Sequence, residues 1–274
     1  MTDDSRKMRD IESLRLEKRL KERFVKAMAT YHLIEDDDKI LVGLSGGKDS
    51  LLLTELLANR AKIQQPRFEV EAVHVRMENI HYESDTNYLE YFCAGLGIKL
   101  HIVTTRFDVA STAEAVPPTS VQYTALVPQS STAAIRRQKQ PCFLCSWNRR
   151  KQLFNLAQHL GFNKIALGHH QDDIIHTTLL NLTYQAHFAT MPVRLKMRKM
   201  PLTLIRPLCL IEEKDIQQWA ELQGYQKQRK LCPYETQSHR SDIRLIYKQL
   251  EQLNPEVRYN IWGALEADNK LIEE

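Results

Sequence analysis

The sequence predicts an α/β fold, an open and mostly parallel sheet flanked by helices. Short apolar runs of strand length alternate along the chain with longer segments that repeat apolar residues every three or four positions. A glycine-rich loop stands where the first of these runs gives way to a helical segment. With 274 residues, 43% of them hydrophobic and 26% charged, the chain has enough apolar material for a sizeable core. Ligands of such a sheet bind at the carboxyl ends of its strands.

The strands and helices follow in order along the chain. Residues 5–32 lack proline and glycine and predict an amphipathic helix, whose charged face is either solvated or turned toward RNA. Strands are predicted at 39–44, 68–75, 99–104, 164–167 and 202–206. Helices are predicted at 51–59, 86–94, 146–160, 172–184 and 213–223, and two short helices at 241–267 that are separated by Asn254-Pro255.

The pattern divides the chain into three parts. A helical extension occupies residues 1–35, the α/β domain residues 36–235 and a helical tail residues 236–274. Inside the α/β domain, residues 108–140 are rich in alanine, serine, threonine and proline and show no sustained period. A long segment without a pattern in a compact domain is either a functional flap or a disordered insert. Both interpretations stay open for this insert.

Charge, hydropathy and cysteine content restrict the class of protein. Lys and Arg number 38 against 34 Asp and Glu, so a net charge of +4 permits a nucleic-acid partner without arguing for one. No apolar run reaches the roughly 18 residues needed to cross a bilayer, and the polar start of the chain does not resemble a secretory signal. We therefore expect no membrane association and a cytoplasmic location. Five cysteines in that compartment serve as thiols, metal ligands or catalytic groups.

The glycine-rich loop has the composition of an anion site. Its glycines let backbone amides approach an anion closely, and the amino end of the following helix adds partial positive charge. Its serines can donate to phosphate oxygens, and Lys48 supplies a mobile cation. Asp49 would repel phosphate unless it holds a metal, which implies Mg²⁺. The spacing matches neither a Walker A loop nor a G-x-G-x-x-G loop. The loop consists of Ser45, Gly46, Gly47, Lys48, Asp49 and Ser50.

Three of the five cysteines stand where they could act as ligands. Cys142 and Cys145 form a C-x-x-C just before a predicted helix, a pattern shared by zinc half-sites, redox dithiols, iron–sulfur half-sites and packed thiols. Cys232 lies in a polar loop beside a proline. Cys93 and Cys209 lie among apolar residues and are interpreted as buried small hydrophobes. Three thiolates without an obvious fourth ligand suit a 4Fe–4S cluster with one iron left open.

A second polar segment, Gly168-His-His-Gln-Asp-Asp173, follows a predicted strand and opens a helix. Asp172 or Asp173 is expected to cap that helix. Two histidines and two carboxylates at this edge of the sheet can also hold Mg²⁺ or move a proton. The segment therefore belongs to the predicted site.

Two basic clusters are expected to flank this site and to neutralise RNA phosphates. The first follows the C-x-x-C, and the second follows the helix predicted at 172–184. Trp147 or Tyr184 could stack on a base that has left its own stack. The predicted RNA-binding residues are Arg149, Arg150, Arg194, Lys196, Arg198 and Lys199.

The string SGGKDS resembles the PP-loop of the ATP pyrophosphatase superfamily, and residues 45–50 are called the PP-loop from here on. The resemblance implies the PP-loop/adenine nucleotide alpha hydrolase-like fold and cleavage of ATP between its α- and β-phosphates. It further implies that the backbone at Val73, His74 and Val75 holds the adenine and that Gly168 belongs to the nucleotide site.

A set of motifs in one order resembles the tRNA 2-thiocytidine synthetase family: SGGKDS, PCFLCSWNRR, KIALGHHQDD, IRPL with EEKDI, and KLCPYE, from about Lys39 to Glu235. The resemblance implies thiolation of cytidine at position 32 of tRNA, with Mg²⁺-ATP and a 4Fe–4S cluster held by three cysteines. The implied partners are tRNA, a sulfur donor of the cysteine desulfurase type and a second copy in a homodimer. The implied cluster ligands are Cys142, Cys145 and Cys232, and the predicted catalytic residues are Lys48, Asp49, Asp172 and Cys232.

Two other functions stay open at this point. The chain could be a PP-loop enzyme that adenylates another tRNA base, of the 2-thiouridine or lysidine type. It could also be a non-catalytic module that binds ATP or a metal and uses the C-x-x-C as a redox switch.

Overall fold

The structure, a computed structural model, describes residues 3–78, 80–82, 85–106, 141–228, 230–231 and 239–274, without the side chains of 3–10, 141–143, 230–231 and 239–240. The predicted insert at 108–140 and Cys232 lie outside the described residues. The helices are α1 (Asp3–Thr30), α2 (Lys48–Ala61), α3 (Asn87–Leu96), α4 (Pro141–His159), α5 (Gln171–Gln185), α6 (Glu213–Leu222), α7 (His239–Leu253) and α8 (Val257–Ala267). The strands are β1 (Asp38–Gly43), β2 (Phe68–Met77), β3 (His81–Tyr82), β4 (Leu100–Thr105), β5 (Lys164–Ala166), β6 (Arg194–Lys196), β7 (Thr203–Ile205), β8 (Lys230–Leu231) and β9 (Ile272–Glu273).

Seven of these strands form one sheet in the order β4-β2-β1-β5-β7-β6-β9. Every neighbouring pair is parallel except β6 and β7, which run antiparallel. The predicted fold class, an open and mostly parallel sheet flanked by helices, is confirmed. A second, two-stranded sheet pairs β3 with β8 in antiparallel register.

The order of the strands creates a crevice beside β1. The chain passes from β1 to β2 on one side, whereas β5 pairs with β1 on the other side. The loops that leave the carboxyl ends of β1 and β5 therefore diverge, and a crevice opens between them where α/β folds bind ligands. The PP-loop and the segment from Gly168 to Asp173 meet at this position.

Both faces of the sheet are covered, which explains why β1 reads as an unbroken apolar run. Ile40 and Val42 point into a large core that includes apolar side chains of α1, α2 and α6. Leu41 points to the opposite face and packs in a smaller core with Leu153 and Ala157 of α4. All three β1 side chains are fully buried.

The two predicted extensions pack on the α/β domain. Arg19 of α1 makes a two-pronged ion pair with Asp215 of α6, with Nη2–Oδ1 and Nε–Oδ2 distances of 2.8 and 3.0 Å. Trp262 of α8 donates to the Tyr31 hydroxyl at 3.0 Å, and β9 adds the last strand to the sheet. Over the described part of the chain, no helix combines the length and the apolar character needed to cross a bilayer.

Two elements differ from the prediction in ways that affect the site. Helix α4 begins at Pro141, so the C-x-x-C lies within the first turns of the helix and not before it. A proline at the first helical position explains the earlier start, because its missing N–H group would have no helical partner there. Strand β2 continues to Met77, beyond the predicted end at residue 75, because β4 pairs with it as far as Thr105.

Candidate active site

The PP-loop is held in shape by its own serines. The Ser45 amide donates to Ser50 Oγ at 3.1 Å, and the Gly47 amide donates to Ser45 Oγ at 3.3 Å. Ser50 Oγ donates to the Gly47 carbonyl at 2.9 Å. Gly46 has a φ of +81°, a left-handed conformation that favours glycine. These contacts present the loop at the amino end of α2, a position that suits a phosphate group.

Gly168 allows the loop after β5 to approach the PP-loop closely. A Cβ atom at this position would lie 3.1 Å from the carbonyl carbon of Asp49 and from the amide nitrogen of Ser50. Contacts this short force a shift, because both neighbours are backbone atoms at the start of α2. A side chain at this position would therefore require the loop after β5 and the start of α2 to move apart by a few tenths of an ångström.

Lys48 lies between two carboxylates. Its Nζ is 2.8 Å from Asp49 Oδ1 and 3.1 Å from Glu213 Oε1 at the start of α6. Burial opposes the charge on Lys48, but hydrogen bonds and attraction to both carboxylates outweigh it and raise the pKa of the ammonium group. Lys48 is therefore a fixed positive charge beside the loop.

His170 links the PP-loop to α5. Its ring is buried, with Nε2 3.8 Å from Asp49 Oδ1 and 3.4 Å from Asp173 Oδ2. Burial alone would favour the neutral imidazole, but the surrounding carboxylates outweigh it and raise the pKa of His170. The His170 amide donates to Asp173 Oδ2 at 3.2 Å, as in a capping box at the start of α5. Asp172 or Asp173 was expected to cap this helix, and Asp173 makes the capping contact.

Asp172 is held by partners from two other helices. Its Oδ1 accepts from Arg258 Nη2 at 2.7 Å, and its Oδ2 accepts from the Glu213 amide at 2.7 Å. Burial would raise the pKa of Asp172, but the nearby His170 ring, with Nδ1 3.6 Å from Oδ2, and hydrogen bonds from Arg258 and the Glu213 backbone lower it well below its usual range. Both oxygens are occupied by structural partners that join α5, α6 and α8. These contacts give Asp172 a structural role, and its catalytic role stays a prediction.

Strand β2 offers one backbone position to the crevice. The Val73 carbonyl accepts from the Leu44 amide at 2.9 Å, on the side of β1. The Ala72 amide points the other way and donates to the Lys99 carbonyl, just before β4, at 2.9 Å. Strand β1 pairs with β2 only as far as Val73. Backbone groups alternate along a strand, so Val75 is the next residue whose amide and carbonyl point to the β1 side, and β1 no longer pairs with the strand there. Of the three residues predicted to hold adenine, Val75 therefore has the suitable backbone groups.

His74 brings a buried polar atom to the same region. Its Nδ1 lies 2.8 Å from the Leu44 carbonyl, and its Nε2 is buried without a hydrogen-bond partner among the described residues. Burial is the main cause that lowers the pKa of His74, and the charges of Arg149 and Arg76 act in the same direction. The imidazole is therefore neutral, and Nε2 can take a polar group of a ligand.

Cys145 lies at the carboxyl end of β2. It is half-buried against a small apolar cluster of Met77, Ile80 and Leu144, next to Tyr82. Tyr82 belongs to β3, whose partner strand β8 ends at residue 231, directly before Cys232. Within the described ranges, no three side chains of His, Cys, Asp or Glu stand together as a metal site. Cys232 and the Cys142 side chain lie outside those ranges.

The other two cysteines are buried, as the apolar sequence around them predicts. Cys93 and Cys209 have exposed fractions of 1% and 0%. Burial raises the pKa of Cys93 to about 11 and that of Cys209 further, so both remain protonated thiols. They pack in the large core as small hydrophobic side chains.

The first basic cluster lies on α4 beside Cys145. Arg149 of α4 donates to the Tyr82 hydroxyl at 2.8 Å, beside Cys145. Arg150 is exposed on the same helix, where Lys151 lies 5.3 Å from the centroid of the Trp147 ring. The first cluster therefore borders the candidate site.

The second cluster is spread between the two edges of the sheet, so Arg198 and Lys199 do not flank the site as predicted. The RNA contacts of the whole cluster stay a prediction. Strand β6 runs antiparallel to β7, so Arg194 pairs with the carboxyl end of β7 and Lys196 pairs with its amino end. Arg198 and Lys199 follow in the hairpin turn at the amino edge, opposite the PP-loop. Arg194 donates to Glu274 Oε1 at 2.8 Å and to the His32 carbonyl at 3.4 Å.

Three residues of the site were missed from the sequence. Glu213 binds Lys48, Arg258 binds Asp172, and Gln228 covers the PP-loop, where its amide donates to the Gly46 carbonyl at 3.1 Å. A Cβ atom on Gly46 would lie 2.3 Å from the Gln228 side chain. Glu213 could have been found from the sequence, because it begins a helix that follows the carboxyl end of a strand, where ligands of such sheets bind. The other two lie in segments without a motif.

Comparison with known proteins agrees with this geometry. A family described as a PP-loop domain matches residues 14–133. The tRNA-cytidine(32) 2-sulfurtransferase of Bdellovibrio bacteriovorus is 30% identical over 254 residues, which cover 91% of this chain and 86% of that protein. The protein of the same name from Delftia acidovorans is 36% identical over 214 residues, which cover 78% of this chain. The match spans only 61% of the Delftia protein, so this chain corresponds to less than two thirds of that relative.

A solved structure has the same fold. The U34-tRNA thiolase NcsA from Methanococcus maripaludis, solved with its 4Fe–4S cluster, aligns with a TM-score of 0.66 and 24% sequence identity. The alignment covers 92% of this chain and 78% of that chain. At this identity the likeness concerns the fold. Because the Bdellovibrio relative is 30% identical and is matched over most of both proteins, this chain belongs to the tRNA-cytidine(32) 2-sulfurtransferase family.

Proposed function

We propose that this chain is an ATP-dependent tRNA thiolase that forms 2-thiocytidine at position 32. The observation that carries the proposal is the position of Cys145 at the same edge of the sheet as the PP-loop. Cys145 packs with Tyr82 beside the strand that leads into Cys232, and Arg149 donates a hydrogen bond to the Tyr82 hydroxyl. Phosphate-binding and thiol groups therefore share one edge, as a reaction that uses both requires.

ATP would lie across the crevice with its phosphates on the PP-loop. The amides of the loop and the Lys48 ammonium would stabilise the charge of the leaving pyrophosphate. Asp49 would hold Mg²⁺, because carboxylate oxygen is the ligand that this ion prefers. The Val75 amide and carbonyl would bind the adenine, next to the buried Nε2 of His74.

A 4Fe–4S cluster would be held by Cys142, Cys145 and Cys232. Soft thiolate ligands suit such a cluster, and the apolar side chains around Cys145 would limit the access of water to it. When bound, the cluster would supply the sulfur for transfer. Arg149 and Arg150 would neutralise tRNA phosphates beside it.

The reaction balances without a change of oxidation state. The cytosine O2 attacks the α-phosphorus of ATP, the bond to the bridging oxygen breaks, and pyrophosphate leaves. A sulfur nucleophile at the level of sulfide then adds to C2, and AMP leaves with the former O2. A tRNA substrate would place the protein in the cytoplasm, with a second copy as the partner in a homodimer. A cysteine-desulfurase-type donor would be the source of sulfur, and two electrons from a cellular thiol would first reduce its persulfide to the hydrosulfide used here.

The experiment compares two cysteine variants in cells that lack the native gene. Cys145→Ala should lower 2-thiocytidine in bulk tRNA by about 100-fold or more, whereas Cys93→Ala, a buried cysteine away from the site, should support near-normal levels. Iron and labile sulfide in the anaerobically purified protein should be present in the wild type and lost in Cys145→Ala. Normal 2-thiocytidine in the Cys145→Ala strain, or loss of a different nucleoside such as 2-thiouridine in the deletion strain, would contradict the proposal.

A further inference from the structure

A cavity of about 300 Å³ lies between α5 and α7. Its lining includes His169, Asp173, His176, Leu180, Met191 and Arg244. Arg244 has half of its side chain exposed, so the cavity opens to the surface beside α7. The predicted nucleotide-binding groups of the PP-loop and Val75 do not line it, so the cavity adjoins the nucleotide position without being part of it.

Two contacts connect the cavity to the PP-loop. Asp173 Oδ2 is 3.4 Å from His170 Nε2, which is 3.8 Å from Asp49 Oδ1. On the other wall, Arg244 Nη2 is 3.8 Å from Glu213 Oε1, which binds Lys48. Each wall is thus linked to a side chain of the PP-loop through one residue, and the cavity adjoins the predicted phosphate site.

The lining suits a flat ligand with polar edges. Leu180 and Met191 offer apolar surface, whereas Asp173 is an acceptor and Arg244 a donor. Burial is the main cause that lowers the pKa of His176, and Tyr247 packs against its ring with centroids 5.1 Å apart. A neutral imidazole held in this way adds a flat wall without a charge. The volume is at the lower end for small-molecule sites, enough for one pyrimidine nucleoside.

The polar lining matches cytosine better than uracil. Cytosine presents an amino donor next to two acceptors on its pairing edge, whereas uracil presents a carbonyl acceptor where cytosine has the amino group. Asp173 can accept from the amino group, and Arg244 can donate to the acceptors. A uracil carbonyl would instead face the Asp173 carboxylate and be repelled.

We infer that this cavity receives the target cytosine after it leaves the anticodon-loop stack, with Asp173 recognising its amino group. The inference rests on the proposed function and names the substrate pocket of that same site. A modifying enzyme must take its base out of the stack, and the apolar walls compensate for the stacking that the base loses. The position beside the PP-loop brings the base toward the phosphates of ATP.

The first test maps the base directly. A tRNA that carries 5-bromocytidine at position 32 is irradiated in complex with the anaerobically purified full chain and ATP, and the cross-linked peptides are identified by mass spectrometry. Cross-links are expected in residues 169–191 or 241–247. Cross-links confined to other peptides would overturn the inference.

The second test fills the cavity. Leu180→Trp should lower kcat/KM for tRNA by about tenfold or more while the Kd for ATP stays unchanged. Leu182→Trp is the matched control, because Leu182 lies on the same helix, is 45% exposed and does not line the cavity. Met191→Trp fills the cavity from a different wall and serves as a second test variant. The unfolding midpoints of all three variants are compared, so that a loss of folding is distinguished from a filled cavity.

A specificity test separates this inference from the proposed function. The amide of Asp173→Asn offers a donor as well as an acceptor. This variant should have a smaller ratio of kcat/KM for tRNA with cytidine at position 32 to kcat/KM for tRNA with uridine there. If the wild type forms 2-thiocytidine while Leu180→Trp equals Leu182→Trp, the cavity assignment alone fails. If the wild type forms no 2-thiocytidine, the proposed function fails and the inference fails with it.

Discussion

Removal of one partner of the ion pair between Asp172 and Arg258 should strongly destabilise the protein. The two side chains are 11% and 12% exposed, and the Nη2–Oδ1 distance is 2.7 Å. Arg258→Met removes the charge with little change in volume and leaves a buried carboxylate without its main partner. Breaking a buried pair in this way costs about 3–5 kcal/mol. We expect about 3 kcal/mol, because Asp172 keeps the Glu213 amide as a hydrogen-bond donor.

The assays are urea unfolding, which gives the free energy of unfolding, and thermal unfolding of the full chain, both followed by circular dichroism at pH 7. A loss of about 3 kcal/mol corresponds to a fall of roughly 6–12 °C in the thermal midpoint. Asp172→Asn and the double variant complete a double-mutant cycle, in which the coupling energy between Asp172 and Arg258 should exceed about 1 kcal/mol. Arg198→Met is the control, because Arg198 is 80% exposed beside Glu273 and its pair should contribute less than about 1 kcal/mol.

The same pair predicts how stability depends on pH. The folded structure lowers the pKa of Asp172, so its stabilising contribution is present above the ordinary aspartate value of about 3.9 and is lost as the pH falls below it. The difference in the free energy of unfolding between wild type and Arg258→Met should therefore become smaller as the pH falls from 7 to 3. A variant within about 1 kcal/mol of wild type at pH 7, or a difference that does not change with pH, would refute this reasoning.

Two further predictions concern the PP-loop. Gly168→Ala should weaken ATP binding by about tenfold in equilibrium dialysis, because its Cβ would lie 3.1 Å from backbone atoms at the start of α2; an unchanged Kd would show that the crevice can widen freely. Glu213→Gln should lower kcat/KM for ATP by about tenfold, since Lys48 loses one of its two carboxylate partners. Lys214→Gln, on the exposed neighbouring residue, is the control, and equal rates for the two variants would contradict the role given to Glu213.

Local sequence was sufficient to predict most elements and the PP-loop. The apolar run at residues 39–44 predicts a buried parallel strand, and the glycines and serines after it predict the turn into α2, because these signals depend on neighbours within a few positions. The start of α4 was predicted too late, since Pro141 at a first helical position reads as a breaker when the chain before it has no pattern. The cysteine, nucleotide and tRNA roles of single residues remain predictions.

The sequence by itself determined the fold class, the anion-binding loop and the family motifs, because backbone preferences and apolar periods act over short distances. Only the tertiary structure decided which charges meet. Lys48 and Glu213 are 165 positions apart and Asp172 and Arg258 are 86 apart. The antiparallel direction of β6 likewise moved Arg198 and Lys199 to the far edge of the sheet. Such pairings depend on strand order and direction, which hydrogen bonds and burial across the whole sheet decide.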